Sequence, residues 1–368
     1  EARYGVSNHD GISMWIADMD FRPPQAVQNA LSEMFEHGIY GYFGNQNEYL
    51  DSIQWWMKHR HNWAVPREGI FTTHGLVNGT AMCIDTFTHP GDGVILFTPV
   101  YHSFAKVIKA NNRQIIEMEL VNNNGRYEMD FEAYNQIIPT NARMVIFCSP
   151  HNPGGRVWSQ TELNQLADFV NRHNLILVSD EIHHDLTFGA KHTPMVHING
   201  VKDRLIMMTA TTKTFNIAGG HVGNVIIENP ELQKLFQKRI TALGLSPNAF
   251  GLHMATAAYS KDGVIWLDAL IKYLDKNRRL FDAGINAIPG LKSMQLEATY
   301  LAWVDFSATG MTKEEFTRRV QSQAKIAASH GSTFGRGGEY FLRFNIGTTR
   351  KNIELAVKKM KVAFKDLQ

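Results

Sequence analysis

The sequence predicts an α/β protein, built on a mostly parallel central sheet sandwiched by helices, with a smaller α+β lobe after it. Three observations predict this. Short apolar runs alternate with amphipathic helical stretches through the first two thirds of the chain. The runs ending at Phe97, Cys148, Val178 and Met208 each lead into a polar loop. From Tyr300 the layout changes to strand, helix, strand, helix. A chain of 368 residues also exceeds what one hydrophobic core usually serves, so two lobes are expected. We divide it into residues 1–37, a segment packing with the small lobe, residues 38–263, the large lobe, and residues 264–368, the small lobe.

Composition narrows the function classes. There are 37 basic and 35 acidic residues, a net charge of +2, with no basic run or acidic tail. That balance speaks against nucleic acid and anionic membranes as partners. No apolar run approaches the length that spans a bilayer. Cys83 and Cys148 both sit in apolar surroundings, which fits buried reduced thiols in a cytoplasmic enzyme rather than a disulfide framework. No signal peptide opens the chain, and Glu1-Ala-Arg-Tyr4 reads as a trimmed start. There is no internal repeat and no low-complexity linker.

Residues 1–22 read as irregular. Pro23-Pro24 then opens a helix with Val27, Ala30, Leu31, Met34 and Phe35 on one face, and Gly38 is placed to end it. Tyr40-Gly-Tyr-Phe-Gly44 is an aromatic turn, and Tyr49 to His61 a second amphipathic helix. A helix beginning near Val77 follows Gly75, and free backbone N–H groups at such a start suit a phosphate. Gly93 to Phe97 is a buried strand, after which Pro99-Val-Tyr101 turns into a helix. Gln114 to Leu120 and Met144 to Cys148 are strands. The second ends in Ser149-Pro-His-Asn-Pro-Gly-Gly155. Ser159-Gln-Thr-Glu162 is a capping box for a helix carrying Leu163, Leu166, Ala167, Phe169 and Val170. Leu175 to Val178 is a strand ended by Ser179-Asp-Glu-Ile-His-His-Asp185, and Leu205 to Met208 leads into Thr209-Ala-Thr-Thr-Lys213. A long helix from Val264 to about Ile288 is the expected spine between lobes. In the last part, Tyr300–Phe306 and Tyr340–Ile346 are strands, Thr312-Lys-Glu-Glu315 is a second capping box, and an amphipathic helix closes the chain.

In a parallel sheet of this kind the ligand sits at the carboxyl ends of the strands. Tyr101, Asn152, Asp180, His183 and Lys213 leave those ends and are expected to converge. On its own stretch Lys213 is read equally well as an enclosed amine, able to form a Schiff base, or as a lysine snorkelling from a strand end. The convergent set is more specific. An imine-forming amine, a buried acid facing a pyridine nitrogen, an amide and an imidazole beside a ring oxygen, an aromatic over the ring face and backbone N–H groups at Gly75 and Leu76 for a phosphate are together the demands of pyridoxal phosphate.

These residues also carry a resemblance. Trp15-Ile-Ala-Asp-Met-Asp-Phe21, Tyr40-Gly-Tyr42, Ser149-Pro-His-Asn-Pro153, Ser179-Asp-Glu-Ile-His-His-Asp185, Lys213-Thr-Phe-Asn-Ile-Ala-Gly219 and Phe341-Leu-Arg-Phe-Asn-Ile-Gly347 occur in that order over almost the whole chain. In them the sequence resembles the fold-type-I pyridoxal-phosphate enzymes of aminotransferase class I/II, and more narrowly the MalY/PatB-type cystathionine β-lyases. The resemblance implies that Lys213 carries the cofactor and removes the Cα proton, that Asp180 pairs with the ring nitrogen, and that Asn152 and His183 lie near the ring hydroxyl. It implies that Tyr101 stacks on the ring and that Gly75, Leu76 and Thr212 contact the phosphate. Tyr42 reaches that phosphate from the second subunit of a homodimer. Arg343 holds the carboxylate of an amino-acid substrate, and the backbone of Ala17 touches the same group. The implied reaction is β-elimination from a cystathionine- or cysteine-type substrate to pyruvate, ammonia and a thiol. The alternatives are an aminotransferase using the same residues and a regulatory protein on an aminotransferase scaffold.

The chain departs from the wider pattern in three places. Asn152-Pro-Gly-Gly155 stands where many relatives have Asn-Pro-Thr-Gly. His221 stands where aminotransferases commonly place a phosphate-binding arginine, and Ala210 where serine is frequent. Bland readings exist beside the functional ones. Asp180 can cap a helix and Arg343 can be a strand-borne ion pair. His183, His184 and Asp185 lack the closed tetrahedral set of a zinc site, so no metal is expected. Tyr40, Phe43, Trp55-Trp56 and Met207-Met208 read as packing.

Overall fold

The computed structural model describes residues 4–7 and 9–367. Residues 1–3, and so most of the Glu1-Ala-Arg-Tyr4 stretch, lie outside that range. The large sheet has seven strands, in the order Ile70–Thr73, Gly223–Ile227, Leu205–Thr209, Ile176–Asp180, Ala142–Cys148, Gly93–Thr98 and Gln114–Glu119. The five strands from Leu205–Thr209 to Gln114–Glu119 run parallel to one another. Every residue of Gly93–Thr98 and Leu205–Thr209 is buried, because helices cover both faces, and such strands read as unbroken apolar runs rather than alternating ones. The chains of fold-type-I enzymes named in the sequence reading imply this arrangement, and the sheet has it.

Gly223–Ile227 was not anticipated as a strand. It runs antiparallel to both neighbours, Leu205–Thr209 and Ile70–Thr73. Antiparallel neighbours need only a returning loop, so no crossover helix separates it from the lysine-bearing loop before it. An apolar run of this length carries no signal for direction.

The small sheet has the order Ile12–Met14, Ile326–His330, Phe341–Asn345, Leu301–Asp305 and Lys292–Ser293. Two of these correct the sequence reading. Ile12–Met14, expected to be irregular, pairs in parallel with Ile326–His330. Ile326–His330 itself, Ile-Ala-Ala-Ser-His, has little β propensity and is held as a strand by its neighbours on both sides. The N-terminal segment therefore joins the small sheet through its strand. Its helix, Gln25–His37, closed by Gly38 in the left-handed region at φ 71°, packs instead against helix Ala249–Ala258.

The capping signals divide. At Ser159 the reciprocal box is complete. At Thr312 only half forms: its hydroxyl accepts from Glu315 N, while the Glu315 carboxylate turns to Arg318 and Arg319. Two charge-assisted bonds to guanidinium groups outcompete one backbone amide.

Helix Lys261–Asn286 runs behind the small sheet and buries Leu267, Leu270, Leu274, Phe281 and Ile285. Asn277 is the polar exception on that face. Its amide donates to Ile346 O at 3.0 Å and Thr348 O at 2.7 Å, and its carbonyl accepts from Arg350 Nε at 2.6 Å. One side chain thus satisfies the end of strand Phe341–Asn345, which carries Arg343, and the start of helix Arg350–Ala363. Asn277→Leu removes the partner of two buried carbonyls and of the Arg350 Nε–H, a loss of roughly 3 kcal/mol. The expected result is a lower urea midpoint with an unchanged slope; a midpoint equal to that of the parent chain contradicts the assignment.

Candidate active site

Three strand ends are level. Cys148 is in register with Asp180, and Asp180 with Met208. Ser149 N donates to Asp180 O, and Glu181 N to Met208 O, both at 2.9 Å. The loops that leave these ends carry Asn152, the Asp180–Asp185 stretch and Lys213. The register alone brings together residues sixty positions apart in sequence.

Asp180 is buried, and its side chain has one hydrogen bond among the described residues, from Ile182 N at 3.1 Å. Burial pushes its carboxyl up to about 7, against partial relief from the Ile182 amide and from the Lys213 charge. His183 is buried too, edge-on to Tyr300 with ring centroids 6.1 Å apart, and its Nδ1 has no partner. Burial, then the charges of Lys213 and Arg343, hold its imidazole down at about 3, so it is neutral at physiological pH.

Lys213 Nζ donates to Ala17 O at 2.6 Å and stands 3.7 Å from Asp18 Oδ1. Desolvation lowers its pKa; Asp18 and Asp180 oppose that shift, and Arg343 adds to it. Arg343 is buried on strand Phe341–Asn345. Its guanidinium donates to Asn152 Oδ1 at 3.0 Å and Trp15 O at 2.8 Å, and lies 4.9 Å from the centre of the Phe334 ring. Its Nε has no partner, and burial brings its pKa down to about 10. Lys213, Arg343, Tyr101, Ala17, Asp18 and His221 line one cavity of about 540 Å³. His221 occupies it from a left-handed backbone position, φ 46°.

The remaining sequence candidates fall around this centre, with one exception. Gly75 precedes helix Leu76–Phe87 with φ 85°, a conformation that favours glycine. A Cβ added to Gly223 would stand 3.0 Å from the Gly75 carbonyl carbon and 3.1 Å from Leu76 N, so this helix start abuts the end of the lysine loop. Thr212 is buried on that loop, as are Thr209 and Thr211, whose hydroxyls have no partner. Tyr42 is the exception. Its side chain is fully exposed, and it borders a different cavity with Met34, Phe250 and His253.

Several contributors were not singled out from sequence. Asp18 pairs with Lys213, and the Tyr300 hydroxyl donates to Ala17 O at 2.9 Å. Asn345 Nδ2 donates to Ile16 O at 2.7 Å, Ser329 Oγ to Trp15 O at 2.8 Å, and Asn216 binds both Met19 N and Met19 O. These groups act on backbone carbonyls of the stretch 15–21, so no side-chain pattern marks them in advance. The two aspartates in that stretch were the available hint.

The residues present fit pyridoxal phosphate. A buried acid raised to about 7 answers a protonated ring nitrogen. The partnerless Nδ1 of His183 and hydroxyls of Thr209 and Thr211 are buried polar atoms that a phosphorylated pyridine can engage. The open space before Gly75, where a Cβ would meet nothing within 4 Å, lies at a helix N-terminus.

Comparison with known proteins agrees. The model of the family "Aminotransferase class I and II" matches residues 10–360. The chain is 37% identical over 365 residues to cystathionine beta-lyase PatB of Bacillus subtilis, covering 98% of this chain and 94% of that one. It is 30% identical over 361 residues to protein MalY of Escherichia coli, covering 96% and 91%. The crystal structure of cystalysin from Treponema denticola, which contains a pyridoxal 5'-phosphate cofactor, superposes with a TM-score of 0.93 at 37% identity, over 99% of this chain and 93% of that one. With its seven-stranded sheet, its lysine at the strand ends and these relatives along its whole length, the chain belongs to the pyridoxal-phosphate-dependent aminotransferase class I and II family, in the branch of PatB and MalY.

Proposed function

We propose that the protein is a carbon–sulfur β-lyase, which cleaves an L-amino acid bearing a thioether or thiol on Cβ to pyruvate, ammonia and a thiol. The observation that carries the reading is the joint placement of Lys213 and Arg343 on one cavity beside the buried acid Asp180, in a chain similar throughout to a protein named cystathionine beta-lyase. Pyridoxal phosphate, when bound, supplies an aldehyde carbon that joins to amines and a ring that takes up an electron pair from Cα.

The chain's own residues divide the remaining work. Arg343, with its Nε free and its fork fixed by Asn152 and Trp15 O, receives the substrate carboxylate. Lys213, its pKa lowered by desolvation, takes the Cα proton at Nζ. With the cofactor bound, Asp180 would hold the proton on its ring nitrogen, and Asn152 and His183 would serve its ring hydroxyl. Tyr101 would cover its ring face, and Gly75 N, Leu76 N and Thr212 would hold its phosphate. In the cofactor-free chain Ala17 O holds the Lys213 amine at the cavity. Loss of the Cβ–S bond releases the thiolate, and water then converts the remaining three-carbon unit to pyruvate and ammonium.

The same proposal includes a cytoplasmic homodimer of two-lobed chains, with residues 38–263 and 264–368 as the lobes and 1–37 associated with the small one. Tyr42, Tyr40, Ile39 and Phe35 are exposed on one stretch beside exposed Phe250, an apolar surface that a second copy would cover. Tyr42 then reaches the partner's phosphate. The two cysteines are buried and unpaired. No helix among the described residues is long and apolar enough to cross a membrane.

Two outcomes are expected. The protein loaded with pyridoxal phosphate releases pyruvate from cystathionine; Lys213→Ala abolishes release, and Arg343→Lys raises KM about tenfold or more with a smaller change in kcat. Formation of pyridoxamine phosphate without pyruvate, reversed by a keto acid, would instead establish the aminotransferase reading that the family name allows.

The second outcome concerns pH. Asp180 titrates at 3.8 in an unfolded chain and at about 7 in the folded one. Between these values the unfolded chain binds fewer protons, so stability of the cofactor-free protein falls as pH rises through that window and levels off above it. The shift corresponds to roughly 4 kcal/mol as an upper limit. A protonated ring nitrogen relieves that cost, so added cofactor raises the melting temperature more at pH 8 than at pH 5. Asp180→Asn flattens the cofactor-free profile and removes this difference. Melts of the parent and variant that track each other across the window would rule the pairing out.

A further inference from the structure

On the far side of the lysine loop, helix Asn47–His61 ends against the loop that follows strand Ile176–Asp180. His61 Nε2 lies 2.8 Å from Asp185 Oδ1, and His184 Nε2 lies 3.2 Å from Asp185 Oδ2. The two imidazole rings are 4.2 Å apart between centroids. All three ligating atoms fall within 4.8 Å of one another. A tetrahedral zinc ion with nitrogen and oxygen ligands at 2.0–2.2 Å sets its ligands about 3.4 Å apart. The three groups thus need to draw together, the widest pair by no more than about 1.4 Å, to surround one ion.

A second observation points to a ligand. His184 is buried, and its Nε2 has no hydrogen-bond partner, since its approach to Asp185 has the distance but not the direction of a hydrogen bond. A buried imidazole nitrogen in that state costs stability unless something engages it. The other histidines nearby are occupied. His192 bonds Glu181 at 2.7 Å, His197 bonds His61 O at 3.0 Å, and His59 stacks on Trp55. His61, His184 and Asp185 border a cavity of about 670 Å³, which gives an ion a path in and leaves room for a water as fourth ligand. The zinc set weighed from sequence placed His183 beside His184. In the structure His183 turns to Tyr300 instead, and His61, more than a hundred residues earlier, takes its place.

We propose that His61, His184 and Asp185 form a binding site for one divalent transition metal ion, Zn²⁺ by its ligand chemistry, separate from the cofactor cavity. Two imidazoles and a carboxylate are the borderline donors such an ion takes, and the ion replaces the proton between His61 and Asp185. Asp185 Oδ2 also accepts from Thr214 Oγ1 at 3.1 Å, and its carboxylate accepts from Trp56 Nε1. Thr214 follows Lys213, so the ion clamps helix Asn47–His61, the Asp180–Asp185 loop and the lysine loop together.

The test uses the full chain loaded with pyridoxal phosphate, stripped of metal by a chelator and desalted. Titration with zinc chloride in a calorimeter is expected to give one saturable site per chain, together with a higher melting temperature. His61→Gln and His184→Gln each weaken that site at least tenfold, while His59→Gln leaves it intact. Cofactor absorbance reports whether each variant is folded; if His61→Gln is not, His184→Gln decides the matter. Absence of saturable binding, or uptake that both variants retain, as surface histidines would give, overturns the proposal.

Discussion

The site depends on a carboxyl group with no cation of its own. Asp180 ends a strand in which the three preceding residues are buried, and the chain offers it one backbone amide. Around it stand Lys213 and Arg343, each already engaged elsewhere, and an imidazole kept neutral by burial and then by those same two charges. Bringing such groups out of water is unfavourable unless each finds a partner of opposite charge or a hydrogen bond. The chain engages the two terminal nitrogens of Arg343 with carbonyl oxygens and Lys213 with Ala17 O, but leaves Arg343 Nε, Asp180 and His183 Nδ1 short. A flat group bearing a proton on one edge and an oxygen on another would complete the set.

The second constraint is the stretch 15–21. It makes no regular ladder beyond Met14, yet side chains from two directions hold nearly every carbonyl in it. Asn216, on the lysine loop, takes Met19 and Phe21. Asn345, Ser329, Arg343 and Tyr300, all from the small sheet or its margin, take Ile16, Trp15 and Ala17. The same Ala17 oxygen receives the Lys213 amine. A displacement of the small sheet relative to the large one is therefore felt at Nζ through a single peptide group. Rigid first contacts held by a second layer of hydrogen bonds are what a reactive amine requires.

Much of this was legible in the sequence because buried parallel strands advertise themselves. Phe97, Cys148, Val178 and Met208 end unbroken apolar runs, and polar residues directly after such ends point at one another in this class of sheet. What could not be read is of three kinds. Direction and neighbours of short strands depend on the sheet, as with Gly223–Ile227 and the alanine-rich Ile326–His330. Contacts to backbone carbonyls have no residue code, so Tyr300 and Asn345 passed unnoticed. Competition between partners is settled in space: Glu315 had the position of a capping glutamate, and two arginines claimed it. Tyr42 belongs to none of these. A residue whose proposed role lies in another subunit is bound to look idle on a single chain, and its full exposure is what that role requires.

The phosphate end shows how the proposed roles weigh against each other. Where aminotransferases commonly place an arginine, His221 sits in a left-handed turn and lines the cavity mouth with Asp18. Phosphate would then be met chiefly by the N-terminus of helix Leu76–Phe87 and by threonine hydroxyls, all of them uncharged. A helix terminus contributes about 0.3–2 kcal/mol to an anion, without the bidentate charge-assisted bond an arginine would add. Retention of the cofactor must lean correspondingly harder on the opposite end of the ring, where relief of the Asp180 burial cost is available, and on the bond to Lys213. If Asp180 pairs with the ring nitrogen as proposed, the acid that makes the ring an electron sink would also be the main non-covalent anchor, and chemistry and affinity in this site would be coupled through one carboxylate.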